Sequence, residues 1–211
     1  MEKLKQFFHK HHQWIINVVL FICIGQYIYR ETEIYQIFKN LKFIDITFFT
    51  CNIIFLLLIL IRRNYRKVDT SWTHWLVATA SFFSSMFFMK SHVTVSQTVH
   101  SVANGINALA IIVNLIALLS LGRSFGIVPA LRIIKTRGAY RVIRHLMYVS
   151  DILLKTPILL IYFSVYNLAI YLFSVILYIL RAHFEEQILQ NDSEYNAYMQ
   201  KVKYRFIPFI Y

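Results

Sequence analysis

The chain has 211 residues, of which 58% are hydrophobic and only 15% are charged. Its mean hydropathy is +0.53, and it contains only five glycines and three prolines. This composition is too apolar for an ordinary soluble domain of the same length. We therefore interpret the chain as one integral membrane domain.

Six apolar segments along the chain are predicted to cross the membrane. They comprise residues 14–29, 43–61, 72–89, 99–121, 146–162 and 164–180. Each has roughly 16–23 residues, close to the ~20 that a helix needs to cross the hydrocarbon core. Membrane strands would instead alternate along ~10-residue segments, and no such alternation is visible. The prediction is an all-α, polytopic membrane bundle of five to six transmembrane helices without a Rossmann domain, since the sequence has no glycine-rich dinucleotide loop.

The net charge of +12 is distributed unevenly between the predicted loops. With the N-terminus inside, 17 of the 22 lysines and arginines fall on one face and four on the other. This asymmetry is the positive-inside pattern, which predicts cytoplasmic N- and C-termini for a multi-pass protein. Anionic lipid headgroups explain the excess charge. Nucleic acid is not a predicted partner, because the basic residues form no single stripe.

Cysteine and histidine usage predicts no metal centre. Cys23 and Cys51 lie inside predicted spans, so neither a disulfide framework nor a metal cluster is indicated. The group His9, His11 and His12 lies on a short basic tail without a carboxylate or thiol beside it.

The two halves of the chain differ in organisation. Residues 1–121 consist of predicted spans with short loops, whereas residues 122–211 alternate spans with polar segments. The first polar island, residues 138–148, reads G-x-Y-x3-R-H-x2-Y, and the second, residues 181–208, opens with R-x3-E-E. The two spans between them form a hairpin, which would bring both islands to the same cytoplasmic face. The segment at 130–136 is predicted to be a short basic helix or strand on the membrane surface.

The first island combines cationic and aromatic side chains. Tyr148 follows Arg144 by four residues, so the two share one face of a helix. Together with His145 and Tyr140, they could hold a carboxylate and stack on a flat ring. The alternative is a basic flank at a membrane-proximal helix end.

The second island carries two adjacent carboxylates, Glu185 and Glu186, which suit a cationic partner such as a sulfonium or ammonium group. Arg181 lies four residues before Glu185, so the alternative is an ordinary surface ion pair. Asp151 and Lys155 have the same spacing inside a predicted span, where they either neutralise each other or face a cavity. Polar residues elsewhere in the spans are expected to form hydrogen bonds between helices; they are Asn104, Asn107, Asn114, Ser81, Ser84 and Ser85.

The islands resemble the isoprenylcysteine carboxyl methyltransferase family, especially its bacterial members and the related phospholipid methyltransferases. The resemblance covers residues 121–211 and rests on the following positions: Gly138, Tyr140, Arg144, His145, Tyr148, Arg181, Glu185, Glu186, Tyr195, Tyr198, Val202, Arg205 and Pro208. It implies S-adenosylmethionine as the methyl donor. It further implies a cofactor site formed by Tyr140, Arg144, His145, Leu146, Tyr148 and Glu186. In this chain Leu146 stands where the family usually has proline.

The resemblance also implies roles for Arg181 and Glu185 beside the methyl-accepting group. Arg181 would grip a carboxylate acceptor in a bidentate manner, and Glu185 would be the general base for an amine acceptor. The acceptor would be lipid-like or prenylated: a prenylcysteine, an ethanolamine lipid or a small isoprenoid acid. Two other functions remain open at this point. One is an NADPH-dependent enzyme similar to sterol reductases, whose ending the segment 204–211 resembles, and the other is a non-enzymatic membrane scaffold.

Overall fold

The structure is a computed structural model that describes residues 43–61, 67–69, 71–89, 94–124, 126, 130–131 and 133–208, with several positions between 14 and 26. It is helical, apart from one two-residue strand pairing among the described residues. The chain divides into two compact units, residues 1–64 and 65–211. In the first unit, helix α1 (Phe43–Ile61) is 19 residues long and coincides with the predicted span 43–61.

In the second unit, the residues that the structure describes form five further α-helices. They are α2 (Trp72–Phe83), α3 (Gln97–Leu121), α4 (Leu146–Ile161), α5 (Val165–Leu189) and α6 (Ser193–Lys201). Short 3-10 helices at Ser84–Phe87, Gly122–Ser124 and Gly138–Arg141 extend or separate them. Strand β1 (Lys67–Val68) pairs antiparallel with β2 (Ala130–Leu131). The strand alternative predicted for 130–136 is thus confirmed over two residues.

Two of these helices are long and apolar enough to cross a membrane. One runs over Gln97–Ser124 with a hydropathy of 2.1, and the other is α5, with a hydropathy of 1.7. The helix at the predicted span 72–89 is shorter than predicted, because α2 has 12 residues and gives way to a 3-10 turn at Ser84. Helix α4 has 16 residues. The all-helical class is confirmed, and two candidate membrane-spanning helices are found among the described residues.

The helices of the second unit pack as neighbouring pairs. Helix α3 lies along α4, α2 lies along α5, and α4 and α5 form the predicted hairpin. Asn114 of α3 donates to the Ser150 hydroxyl of α4 over 3.1 Å in the buried interface. This contact confirms for Asn114 the predicted hydrogen bond between helices. Ser84 instead donates to the carbonyl of Ser81, within its own helical segment.

Helix α5 continues well past the predicted span 164–180. Its apolar part, residues 165–180, is followed by a polar extension, residues 181–189, which carries the start of the second island. Helix α4 begins at Leu146, directly after Arg144 and His145 of the first island. The hairpin therefore places the beginning of α4 beside the end of α5, and the two islands meet there.

Glycine is required at position 138, the start of the first island, for two structural reasons. Its φ of +66° lies in the left-handed region, where side chains are disfavoured. A Cβ atom at this position would also lie 3.3 Å from the Ser120 hydroxyl. The glycine of the motif thus lets the chain turn closely past the end of α3.

Candidate functional site

The carboxylate of Glu186 joins the two islands. Its Oε1 accepts hydrogen bonds from Arg144 Nε at 2.9 Å and His145 Nε2 at 3.0 Å. Its Oε2 accepts from Arg205 at 3.0 Å (Nε) and 2.8 Å (the terminal nitrogen). Only 1% of Glu186 is exposed. The predicted meeting of the islands is therefore observed, and both oxygens of this carboxylate are already occupied by protein groups.

The charge of Glu186 is well compensated. Burial alone would raise the pKa of its carboxyl group, but the hydrogen bond and charge of His145 and the charge of Arg144 outweigh burial and lower the pKa to about 2. Glu186 is therefore ionised at neutral pH. Because a buried charge is stable only when it is paired and hydrogen-bonded, this network is a structural centre of the second unit.

The C-terminal segment closes over Arg144 and His145. The backbone N–H of Arg144 donates to the carbonyl of Tyr204, and that of His145 donates to the carbonyl of Arg205, each over 3.0 Å. The Arg144 guanidinium also donates to the carbonyls of Val202 at 2.6 Å and Lys203 at 3.0 Å. Arg144 thus holds the C-terminal segment, residues 202–205, in place. This structural role is additional to the cofactor-binding role that the resemblance implied.

Tyr148 lies at the centre of the polar cluster between α4 and α5. Its hydroxyl donates to Glu185 Oε2, and its ring stacks on His145 with the centroids 5.2 Å apart. The Arg181 guanidinium lies over the Tyr148 ring, 4.7 Å from its centroid. Such cation–π geometry attracts the cation to the ring face. Tyr148 therefore connects both predicted acceptor-site residues to the first island.

Arg181 does not form the surface ion pair that was one interpretation of its spacing from Glu185. Only 4% of Arg181 is exposed. Its guanidinium donates to the Ser81 hydroxyl of α2 and to the carbonyl of Gly126, each over 3.2 Å. The surface interpretation is wrong because α2 and the segment after α3 cover this part of α5. The bond to Ser81 confirms for that residue the predicted hydrogen bond between helices, whereas Gly126, 55 residues away along the chain, was not predicted as a partner.

The hydroxyl group of Tyr140 is buried, and its O–H has no acceptor among the described residues, while the backbone of Met147 lies close enough to its oxygen to lower its pKa slightly. Only 5% of the residue is exposed. Burial, followed by the nearby Glu185 carboxylate, raises the pKa of this hydroxyl, which therefore stays protonated at neutral pH. The Tyr140 carbonyl is held by the hydroxyl of Tyr198 at 2.6 Å. A buried hydroxyl group of this kind is uncommon in folded proteins and makes Tyr140 a candidate ligand contact.

Helix α6 supports the turn that contains Tyr140. Its buried residues Tyr195 and Tyr198 form a small core with Val202, against which Ile134 and Leu189 pack. Burial and the Glu186 charge outweigh the opposing Arg144 charge and raise the pKa of Tyr198 to about 12. These tyrosines of the second island are thus packing residues that position the first island.

Leu146 is the first residue of α4 and is buried. Proline is favourable at this helix position because its missing N–H would have no partner in the helix. His145, however, has φ −114° and ψ 46°, whereas a residue before proline prefers an extended ψ of roughly 120° to 160°. Leucine thus suits the His145 conformation observed here, and the helix begins normally without the family's proline.

Asp151 and Lys155 are connected through a tyrosine that the sequence did not single out. The Tyr178 hydroxyl donates to Asp151 Oδ2 at 3.2 Å, and Lys155 Nζ donates to the same hydroxyl at 3.3 Å. The Lys155 ammonium also lies 4.9 Å from the Tyr178 ring centroid. The two residues are therefore connected across the hairpin through Tyr178.

Metal ligation is not supported by the residues that the structure describes, which contain no group of three or more histidine, cysteine, aspartate or glutamate side chains in suitable positions. The histidine group His9, His11 and His12 lies outside the described residues.

The fold and the cluster together define an all-helical protein with two candidate membrane-spanning helices and a buried polar site at the ends of a helical hairpin. Comparisons with protein-family models and with curated proteins give no match.

Proposed function

We propose that the protein is a membrane-embedded, S-adenosylmethionine-dependent methyltransferase. It would methylate a carboxylate or amine of a lipid-like or prenylated acceptor at the cytoplasmic membrane face. The observation that carries the proposal is the buried hydroxyl of Tyr140, whose O–H has no acceptor among the described residues and which lies near Glu185 in the cluster with Tyr148 and Arg181. This combination offers a hydrogen-bond donor, an aromatic face and a carboxylate to one ligand.

The residues present fit the proposed methyl donor. S-adenosylmethionine supplies an electrophilic methyl group on a positively charged sulfonium. The Glu185 carboxylate accepts a hydrogen bond from the Tyr148 hydroxyl, and a carboxylate together with an aromatic face suits a cationic group. Tyr140 would hydrogen-bond the donor through its hydroxyl, while His145 and Tyr148 form the stacked aromatic wall.

Arg144 and Glu186 have a different part in this proposal from the one that the resemblance implied. Since both Glu186 oxygens accept hydrogen bonds from Arg144, His145 and Arg205, the carboxylate acts by orienting His145 and the tail. Arg181 is held against Tyr148 by Ser81 and Gly126. Holding the acceptor in a reactive orientation beside the donor is a major source of rate in such a site.

The membrane part of the proposal is supported by exposed apolar side chains on the two candidate spans. On α3, Leu109 and Leu119 are 56% and 68% exposed, and on α5, Phe173 and Ile176 are 54% and 53% exposed. Such surfaces suit contact with lipid chains. We further propose that the protein is multi-pass, with five to six transmembrane helices, and that both termini are cytoplasmic.

Cysteine-accessibility labelling in intact cells or sealed vesicles tests this orientation. Single cysteines at Lys135 and Lys201 should be labelled only from the cytoplasmic side. A cysteine at Phe163, in the turn between α4 and α5, should be labelled only from the opposite side. Labelling of Lys135 and Lys201 from opposite sides would contradict the proposed shared face.

Replacing Tyr140 by phenylalanine tests the donor site with the smallest structural change. The variant loses a hydroxyl group whose hydrogen has no acceptor among the described residues and whose oxygen is approached by the Met147 backbone, so its melting temperature should change little. Donor affinity should fall by about 5- to 100-fold, the range expected when a ligand group loses a buried hydrogen bond. Isothermal titration of the detergent-purified protein with S-adenosylmethionine measures the affinity, and thermal unfolding measures the melting temperature, each against the wild type. Equal donor affinity in the two proteins would place the donor elsewhere.

A further inference from the structure

The end of the α4–α5 hairpin that lies away from the polar cluster carries a surface of its own, which we call the far turn. It consists of residues 86–89, which follow α2, and residues 162–166, which connect α4 to α5. Its exposed large side chains are all apolar or aromatic; they are Met86, Phe87, Met89, Phe163, Val165 and Tyr166. Residues 75–89 and 156–180 contain no charged side chain. A turn that lies in water is ordinarily polar, so this composition is unusual for a solvated turn.

The main chain of the far turn is held by one buried side chain. Asn167 is fully buried, and its Oδ1 accepts the N–H of Met89 at 3.0 Å. Its Nδ2 donates to the carbonyl of Met89 at 2.8 Å and to the carbonyl of Tyr162 at 2.5 Å. The N–H of Asn167 itself donates to Ser164 Oγ at 3.1 Å. Both hydrogens of the Asn167 amide are thus used to pair main-chain groups of the far turn.

This internal pairing is the arrangement that hydrocarbon surroundings demand. The N–H and carbonyl groups of a turn in water can bond to the solvent, whereas in the bilayer core they must find partners within the protein. Asn167 supplies such partners to both segments of the far turn, although Met89 lies 78 residues away along the chain. The far turn therefore combines an apolar outer surface with main-chain groups that are paired from inside.

The helices that lead to the far turn are shorter than a bilayer. Helix α4 has 16 residues, and the apolar part of α5 covers the equal stretch 165–180. Sixteen helical residues extend about 24 Å, about 6 Å less than the ~30 Å hydrocarbon core. Helix α3 has 25 residues and extends about 37 Å. Its last turn lies beside Gly138 of the first island, so its first residue, Gln97, lies at the same end as the far turn.

We propose that the far turn ends inside the bilayer, where it is covered by the acyl chains of the leaflet opposite the polar cluster. The inference rests on the membrane part of the proposed function. Lipid chains require only an apolar surface, whereas the described residues of the far turn offer a protein partner no charged group for recognition. A hairpin shorter than the hydrocarbon core is accommodated by local thinning of the bilayer. The far turn is thus a lipid-contact surface that thins the membrane beside the hairpin.

Nitroxide labels in vesicles of dioleoylphosphatidylcholine test the depth of the far turn. Single labels are attached at Phe87 and Phe163 after the native cysteines have been replaced. At both positions, collisions with oxygen, which dissolves in lipid, should exceed collisions with water-soluble nickel ethylenediaminediacetate. A label at Gln97 is the matched control at the same end and should show the opposite order. A cysteine at Phe163 should likewise react from this side more slowly than one at Gln97. Equal access of nickel to Phe163 and Gln97 would overturn the proposal.

Bilayer thickness distinguishes lipid chains from a protein that covers the far turn. In thin bilayers of dimyristoleoylphosphatidylcholine, nickel collisions at the Phe163 label should rise, because the headgroups come closer to the turn. In thick bilayers of dierucoylphosphatidylcholine, they should fall. The same low access of nickel in both bilayers would identify a protein, such as a second copy of this chain, as the occupant and would overturn the proposal.

Two aspartate variants provide an independent test. Val165 and Gln97 are each the first residue of a helix that is capped by the preceding serine. Aspartate at such a position is favourable in water because of the helix dipole but costly in lipid. Val165 is 82% exposed, so its replacement removes little packing. Val165→Asp should lower the melting temperature in vesicles by at least about 3 °C, whereas Gln97→Asp should leave it unchanged or slightly higher. Equal melting temperatures would contradict embedding of the far turn.

The outcomes separate this inference from the proposed function, because the depth measurements require no methyl donor. Binding of S-adenosylmethionine to a protein whose far turn lies in water would overturn the inference alone. A far turn in lipid without donor binding would support the inference and remove the methyltransferase proposal. Failure of the purified protein to insert into vesicles would remove the membrane part of the proposed function and this inference with it.

Discussion

Replacing Glu186 by alanine is expected to destabilise the protein by about 3–5 kcal/mol, the usual cost of removing one partner from a buried charge network. The variant leaves Arg144, His145 and Arg205 without their shared carboxylate. At about 2–4 °C per kcal/mol for a chain of this size, the melting temperature should fall by roughly 6–20 °C. Thermal unfolding in detergent, followed by circular dichroism, measures the change.

Glu194→Ala is the matched control, since Glu194 is an exposed glutamate at the start of α6. Its substitution should change stability by no more than about 0.5 kcal/mol. Equal melting temperatures for Glu186→Ala and Glu194→Ala would contradict the structural role of Glu186.

The Glu186 network should also lose its effect in acid. The folded-state pKa of about 2 lies below the ordinary value of 4.5, so the native state favours the ionised form. The stabilisation is fully present above about pH 4.5 and is lost as the pH falls towards 2. The difference in stability between wild type and Glu186→Gln should therefore shrink over this interval.

Replacing Arg181 by alanine is expected to lower turnover by at least about two orders of magnitude, because the variant loses the group that would orient the acceptor beside Tyr148. Stability should fall as well, by about 1–3 kcal/mol, since Ser81 and Gly126 lose their buried partner. Methyl transfer per folded molecule, measured at a temperature well below the melting point of the variant, separates the two effects.

Arg181→Lys is the informative control for this prediction. It keeps the positive charge but loses the planar fork of donors, so it should recover little turnover if the acceptor is gripped through that fork. Ser81→Ala leaves the guanidinium present and removes one of its holding contacts, so its effect on turnover should be smaller than that of Arg181→Ala. Normal turnover per folded molecule in Arg181→Ala would show that Arg181 has only a structural role.

The sequence predicted those features that depend on local pattern. Apolar runs predicted helices at 99–121, 146–162 and 164–180, and α3, α4 and α5 lie there. The connection of α4 to α5 by a short turn predicted that Arg144 and His145 would meet the second island, and they contact Glu186. Because the two helices of a hairpin run antiparallel, the start of α4 must lie beside the end of α5.

Contacts between distant parts of the chain could not be predicted in the same way. The surface interpretation of Arg181 failed because Ser81 and Gly126 cover it. The stacking of His74 on Phe184 likewise joins two helices that lie far apart along the chain. Tyr140 was singled out by resemblance, but its missing hydrogen-bond partner is visible only in the folded structure.

The central claim is tested most directly by equilibrium binding of radiolabelled S-adenosylmethionine and of NADPH to the detergent-purified protein, with Tyr140→Phe measured alongside. The account predicts saturable binding of S-adenosylmethionine, weakened by about 5- to 100-fold in Tyr140→Phe, and no saturable binding of NADPH. Saturable binding of NADPH alone would identify a reductase instead, and binding of neither compound would contradict an enzymatic role for this site.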